Sequence, residues 1–282
     1  MSGRDASTAR LEPSADGAGA GELRIEALIF DVDGTLADTE EVHRQAFNDA
    51  FSAHGLEFRW SRELYAELLE VTGGKERLAA FLQRMALTRK EHDRLSELIP
   101  RLHATKTSFY RERLERGRVP LRPGVRRLMS EGRAAGVRLA IASTTSPDNV
   151  SALLEGTFGQ EGPEGFSVIA TGDAVPRKKP APDVYRLALR ELGVTPRRAV
   201  AFEDSAIGVA AAKAAGLLTV ATPSDWTRGQ DFAAADLVLP SLGDPDSPLG
   251  AADAWRIGAP YLGFEQLTIL HAATRPRPAN SD

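Results

Sequence analysis

The stretch Leu28-Ile29-Phe30-Asp31-Val32-Asp33-Gly34-Thr35-Leu36 constrains this chain more than any other. An apolar run with the length and composition of a buried strand passes directly into two aspartates on alternate residues, then a glycine. Alternate residues of an extended segment face the same way. Once the chain turns at Gly34, both carboxylates can reach the rim of one cleft. Buried carboxylates are costly unless a cation or a shared proton compensates them. Asp-Gly is a common turn dipeptide, which accounts for Asp33-Gly34 but not for an apolar run that ends in Asp31.

Similar short apolar runs recur along the chain and alternate with amphipathic helical patterns, the mark of an α/β fold with a parallel sheet. Strands are predicted at Ala27–Phe30, Arg138–Ala142, Val168–Ala170, Ala199–Phe202, Thr219–Ala221 and Leu237–Leu239. Between the first two, Thr39 to Arg118 holds no strand pattern and is too long for a simple crossover. Val42, Ala46, Phe47, Ala50 and Phe51 recur there at helical spacing until Gly55. Further helices are expected over Leu64–Leu69, Gly74–Met85, Arg89–Ile99 and Arg101–Leu114. The segment therefore reads as a helical subdomain inserted into the sheet domain. The division expected is a disordered extension over 1–22, an α/β core over 23–38 and 118–243, a helical insert over 39–117, and a tail over 244–282 that packs on the core. In that tail, Gly243 to Pro260 reads as chain wrapping the surface, Tyr261 to Leu270 as an added edge strand, and Arg275 to Asp282 as loose.

Composition removes several classes of function. A net charge of −4 gives no general attraction to nucleic acid or anionic membrane. With no cysteine there is no disulfide, thiolate nucleophile or cysteine metal site. No run of about 18 apolar residues is present to span a bilayer. Ser2 to Gly21 lacks the apolar centre of a signal peptide. A cytoplasmic monomer with no nucleic-acid or membrane partner is the expectation.

In a parallel sheet, ligands bind where the carboxyl ends of the strands gather. The first strand delivers Asp31 and Asp33 to that edge. The second ends in Ser143-Thr144-Thr145-Ser146, followed by Pro147 at the start of a helix. Hydroxyls at a helix N-terminus form a ready anion site, and Ser146 also suits a helix cap. After the third strand comes Arg177-Lys178-Lys179-Pro180. There Lys179 is either a fixed positive charge held by the proline or a solvated surface lysine. The fourth strand ends in Glu203-Asp204-Ser205. Hard carboxylate oxygens suit Mg²⁺, and hydroxyl, lysine and backbone N–H groups suit a phosphate. Phosphoryl transfer through an aspartyl-phosphate is the chemistry that uses this inventory.

Roles follow from the chemistry. Asp31 is the expected nucleophile. Mg²⁺ would be held by Asp31, Asp204 and the Asp33 carbonyl, with Glu203 either a further ligand or a support for Asp204. Asp33 would protonate the leaving alkoxide and then deprotonate water, which calls for a pKa raised from the ordinary ~3.9. Ser143, Thr144 and Lys179 would hold the transferring oxygens.

Asp31-x-Asp33-Gly34-Thr35, the Ser143 strand end, Lys179-Pro180 and Glu203-Asp204 together resemble, in order, the four motifs of the haloacid dehalogenase-like hydrolase superfamily. The resemblance runs from about Ile25 to Leu239. It implies a Rossmann-like parallel sheet core with an inserted helical cap domain, a Mg²⁺ cofactor and a phosphoric monoester substrate. Within the superfamily the chain resembles phosphoglycolate phosphatase, β-phosphoglucomutase and, most closely, the CbbY proteins of the Calvin cycle. Thr72-Gly73-Gly74-Lys75-Glu76-Arg77, Glu40-Glu41-Val42-His43 and Lys178 to Arg186 carry the last match. That likeness implies removal of the 1-phosphate from xylulose 1,5-bisphosphate.

A sugar bisphosphate has a second anionic group remote from the reacting one. Lys75 and Arg77 flank the Gly73-Gly74 pair, which permits close backbone approach. They suit a distal phosphate, or else form a surface charge pair with Glu76. His43, one helical turn after Thr39, either bonds substrate or is a satisfied surface histidine. Glu40 suits sugar hydroxyls. Closure of the insert over the sheet edge would expel water, with hinges near Thr39 and Arg118.

A dehalogenase needs no proton donor such as Asp33. A dinucleotide-binding protein needs Gly-x-Gly-x-x-Gly where Asp-x-Asp-Gly-Thr stands. A binding module needs none of the four pieces. A β-phosphoglucomutase-like mutase shares every core part and differs in what reaches the aspartyl-phosphate. Phosphoglycolate phosphatase is the other alternative.

Overall fold

The computed structural model describes residues 10, 24–117, 119–159 and 162–274. Apart from Arg10, the extension expected over 1–22 lies outside the described residues, as do Arg118 and Arg275 to Asp282. Strands β1 (Ala27–Phe30), β2 (Arg138–Ala142), β3 (Val168–Ala170), β4 (Ala199–Glu203), β5 (Leu218–Ala221) and β6 (Leu237–Val238) form one sheet. Its order is β3-β2-β1-β4-β5-β6, and every neighbouring pair is parallel. The expected strands are all present, within a residue or two at their ends.

Helices bury both faces of this sheet, which is why its strands read as continuous apolar runs rather than alternating ones. The period of two survives in side-chain size. Leu28, Phe30, Leu139, Ile141, Val200 and Phe202 face one way, and Phe30 stacks on Phe202 with ring centres 4.7 Å apart. That face packs on α5 (Val125–Ala134) and α6 (Pro147–Phe158). Ala27, Ile29, Ala140, Ala142, Ala199 and Ala201 face the other way. Their small side chains let α7 (Asp183–Leu192) and α8 (Ala206–Ala214) approach closely.

Four helices separate β1 from α5: α1 (Glu40–Ala53), α2 (Arg62–Leu68), α3 (Gly74–Gln83) and α4 (Arg89–Arg116). They form the cap and have an aromatic core of their own around Phe47, Phe51, Trp60 and Tyr65. The chain leaves and re-enters the sheet domain side by side, because Ala37 bridges both to Asp33 and to Leu121.

Two expectations fail here. The helices expected over Arg89–Ile99 and Arg101–Leu114 are one, and Pro100 lies inside it. An interior proline costs about 3 kcal/mol, but Leu95, Leu102, Tyr110 and Leu114 form one buried stripe across it. Burying each such side chain gains about 1.5–3 kcal/mol, so the stripe outweighs the proline. The edge strand expected over Tyr261–Leu270 is instead the helix α10 (Phe264–Ala273), preceded by α9 (Ala251–Ile257). Leu267 and Leu270 are buried three residues apart, a helical spacing. Leu249, Ile257, Leu262, Leu267 and Leu270 all join the sheet domain's main core. The stretch 243–260 thus contributes to the core as well as to the surface.

Candidate active site

The order of the sheet places β1 between β2 and β4, so the ends of these three strands open on one edge beneath the cap. Asp31 follows β1 directly, its N–H donating to the Phe202 carbonyl at 3.0 Å. It lies in the cleft with Asp33, Ser143, Thr144, Lys179 and Asp204 on the core side. Glu40, His43, Gly74, Lys75, Arg77 and Lys106 line the cap side. Of the residues named from sequence, Glu203 alone does not line the cleft and lies behind it, buried.

On the core side, oxygens of Asp31, Glu203 and Asp204 all lie within 4.8 Å of one another. Lys179 Nζ donates to Asp31 Oδ1 and Glu203 Oε1, both at 2.6 Å. The alternative of a solvated lysine is thereby removed: Lys179 is buried. Tyr185 also donates to Glu203 Oε1, at 2.5 Å. Two glycines make room for the acids. A Cβ at Gly34 would stand 2.2 Å from Asp204 Oδ2, and one at Gly208 would stand 1.9 Å from Glu203 Oε2. Both glycines are thus required by the neighbouring carboxylates.

Burial, with Glu203 and Asp204 close by, raises the Asp31 carboxyl well above the usual range despite Lys179. Burial and Glu203 likewise push Asp204 up to about 8. Three buried carboxylates face one lysine, which leaves two negative charges short of partners. One divalent cation carries that charge, and an all-oxygen donor set suits hard cations. Asp31 and Asp204 are therefore able to hold such an ion. Glu203 spends one oxygen on Lys179 and Tyr185 and lies against Gly208 with the other, the posture of a support.

On the cap side, Asp33 follows a different rule. Its Oδ1 accepts from Thr39 Oγ1 at 2.5 Å and from His43 Nε2 at 2.9 Å. Lys106 Nζ donates to His43 Nδ1 at 2.5 Å, which sets the ring tautomer with its proton on Nε2. Burial alone would raise Asp33, but His43, Thr39 and Lys106 outweigh it and hold the carboxyl at about 2. The raised pKa expected for Asp33 is thus overturned, because donors rather than acids surround this carboxylate. Burial among Phe47 and Tyr110 lowers Lys106 to about 7. Burial and Lys106 lower His43.

The remaining cap residues are brought to the cleft with different freedom. Arg77 donates to the Leu68 carbonyl and to Tyr65 Oη, at 3.1 and 3.0 Å. Glu40 accepts from the same Tyr65 hydroxyl at 2.7 Å. Glu76 pairs with Lys178 of the core at 2.7 Å, not with Lys75 or Arg77. Lys75 is exposed on the cleft wall. Ser143 Oγ accepts from the Thr145 N–H at 3.3 Å. Ser146 makes no side-chain cap bond to α6.

Sequence reasoning missed Lys106, Thr39, Arg122 and the pair Ser224 and Thr227. Lys106 stands 63 residues from His43 on a helix that reads as surface, and nothing local marks it. For Ser224 a signal exists at the carboxyl end of β5, where Thr222-Pro223-Ser224 repeats the hydroxyl-rich pattern found after β2.

Paired acids at the end of a central strand, a lysine bound to one of them, and a cap closing over both define a hydrolase of one superfamily. Residues 25–216 match the family model of the haloacid dehalogenase-like hydrolases, and the chain belongs to that family. Among curated relatives, the protein CbbY of Rhodobacter capsulatus is 51% identical over 220 residues, 78% of this chain and 95% of that protein. The CbbY of Cupriavidus necator is 44% identical over 253 residues, 88% of this chain and 100% of that one. A crystal structure of CbbY from Rhodobacter sphaeroides, solved as a mutant in complex with xylulose 1,5-bisphosphate, superposes with a TM-score of 0.72. It is 49% identical and covers 79% of this chain and 98% of its own. Among the described residues, no helix is long and apolar enough to cross a membrane.

Proposed function

We propose that this protein is a Mg²⁺-dependent phosphatase that removes the 1-phosphate of xylulose 1,5-bisphosphate through an aspartyl-phosphate on Asp31. The observation that carries the reading is the meeting of Asp31, Asp204 and Lys179 opposite Asp33 within one capped cleft. Similarity to a CbbY that was crystallised with xylulose 1,5-bisphosphate supports the choice of substrate.

Asp31 attacks phosphorus in line, the bond from phosphorus to the sugar oxygen breaks, and the alkoxide takes a proton through Asp33. Thr39 and His43 occupy Asp33 Oδ1, which leaves Oδ2 for the leaving group. The proton that Asp33 gives the alkoxide from Oδ2 is the one it took from water in the preceding hydrolysis, while Thr39 and His43 stay hydrogen-bonded to Oδ1. In the second half, water attacks the acyl phosphate, Asp33 takes its proton, phosphate leaves and Asp31 is regenerated. Lys179 and Ser143 hold the transferring oxygens. Asp31, Asp204 and the Asp33 carbonyl would hold the Mg²⁺ ion, which would screen the attacking carboxylate from the phosphoryl oxygens.

The test is phosphate release across xylulose 1,5-bisphosphate, phosphoglycolate and β-glucose 1-phosphate. The expected result is the highest kcat/KM on the bisphosphate, lost on chelation and restored by Mg²⁺. Conversion of β-glucose 1-phosphate to an isomeric phosphosugar without phosphate release would instead make the enzyme a mutase.

A further inference from the structure

The chain just after β5 touches both the core acids and the cap. Arg122 anchors its start: the guanidinium donates to the carbonyls of Thr222 and Pro223, and also to those of Gly34 and Pro240. Ser224 and Thr227, both buried, then donate to the same oxygen, Asp204 Oδ2, at 2.8 and 3.2 Å. The Ser224 N–H donates to Thr227 Oγ1 at 2.9 Å, and the two hydroxyl oxygens stand 3.0 Å apart, which ties the pair together beside the carboxylate. With Oδ2 taken twice, Oδ1 is the oxygen left for a cation.

Between these two hydroxyls stands Trp226, which packs with the cap's aromatic cluster rather than with the sheet domain's core. Its ring meets Tyr65 edge to face at 5.4 Å, and the Arg62 guanidinium lies over it at 4.3 Å. Tyr65 is in turn the hydroxyl shared by Glu40 and Arg77. An unbroken series of contacts therefore runs from Asp204 through Ser224 and Thr227 to Trp226, Tyr65 and the cap's cleft residues.

We infer that Ser224 and Thr227 are positioning residues that aim Asp204 at the divalent cation, and that Trp226 makes their placement depend on the seated cap. This rests on the reading of Asp31 and Asp204 as cation ligands. Hydrogen-bonded partners of a metal-binding carboxylate typically matter 10- to 100-fold in metal affinity. Coupling between two sites is reciprocal in binding free energy, so a cap held closed tightens the ion and the ion tightens the cap.

Mg²⁺ affinity of the full chain, measured by calorimetry without substrate, tests this. Ser224→Ala with Thr227→Val should weaken Mg²⁺ by about 10- to 100-fold. Trp226→Ala should weaken it by about fivefold, although its ring touches no acid. Where the double variant melts too low to titrate, Thr227→Val alone should lose about tenfold while Thr227→Ser, which keeps the hydroxyl, loses none. Wild-type affinity in Trp226→Ala, or in a folded variant lacking the hydroxyls, overturns the inference. A wild-type chain that binds no Mg²⁺ overturns the metal reading itself.

Discussion

Asp31 and Asp33 stand two residues apart on one turn, yet the two walls of the cleft drive their proton affinities in opposite directions. The core wall surrounds Asp31 with Glu203 and Asp204 and gives the three acids one lysine. The cap wall gives Asp33 two direct donors on one oxygen, with Lys106 behind them. One wall is thus short of positive charge and the other is supplied with it. The same turn thus carries one carboxyl driven upward and one driven downward in proton affinity. The division depends on closure, because every donor to Asp33 lies on the cap or its hinge.

The largest effect should come from the core wall. Asp31→Asn should lower phosphate release by at least about 10⁴-fold while leaving the melting transition in place. Normal turnover in the purified variant would remove Asp31 from the chemistry and collapse the contrast between the walls. Next comes the cap wall. His43→Ala removes a donor from Asp33 Oδ1 and should lower kcat about 10²-fold, the lower end for a proton-transfer group. A change confined to KM would make His43 a binding residue instead.

A smaller effect separates two residues of the cap itself. Arg77 is already engaged by Leu68 and Tyr65, whereas Lys75 is exposed on the cleft wall. Lys75→Ala should raise KM for a bisphosphate about tenfold, or about 1.4 kcal/mol, and leave a monophosphate unaffected. Equal loss on both substrates would deny Lys75 a role at a distal phosphate.

The mildest prediction concerns pH and stability. Folding depresses Lys106 from 10.5 to about 7. Between those values the unfolded chain binds the extra proton, so this residue makes stability rise with pH from about 7 toward 10.5. Below about 7 both states are protonated and the full cost of burying the charge is present. Denaturant titrations of Lys106→Met should show a flatter slope over that window, by up to about 1.4 kcal/mol per pH unit. An identical slope would mean that Lys106 stays protonated in the fold.

The core wall was legible in the chain because each of its residues ends or follows an apolar strand. Asp31, Ser143, Lys179 and Asp204 are far apart in sequence, but a parallel sheet gathers strand ends along one edge whatever the details of packing. Glu203 was legible as an acid at that edge, as either a further ligand or a support. Only Tyr185 and Gly208, on helices packed behind the sheet, decide which way its oxygens point. The cap wall was legible only in part. His43 follows the first motif closely, whereas Lys106 depends on how α4 lies along α1. Pro100 obscured even the continuity of α4, because local propensity breaks a helix that a buried stripe holds together. The tail misled for a related reason. Its strand-like composition over Tyr261–Leu270 carries no information about the missing sheet partner, and burial of Leu267 and Leu270 selected a helix.

By itself the sequence determined the sheet, its central strand and the acids at its rim, since these follow from short-range period and from where apolar runs end. The proton affinity of each acid was decided only in three dimensions. Charge, burial and donors act through space over a few ångströms, and most of the groups that supply them here, Lys106, Ser224 and Thr227, are joined to the motifs by folding alone.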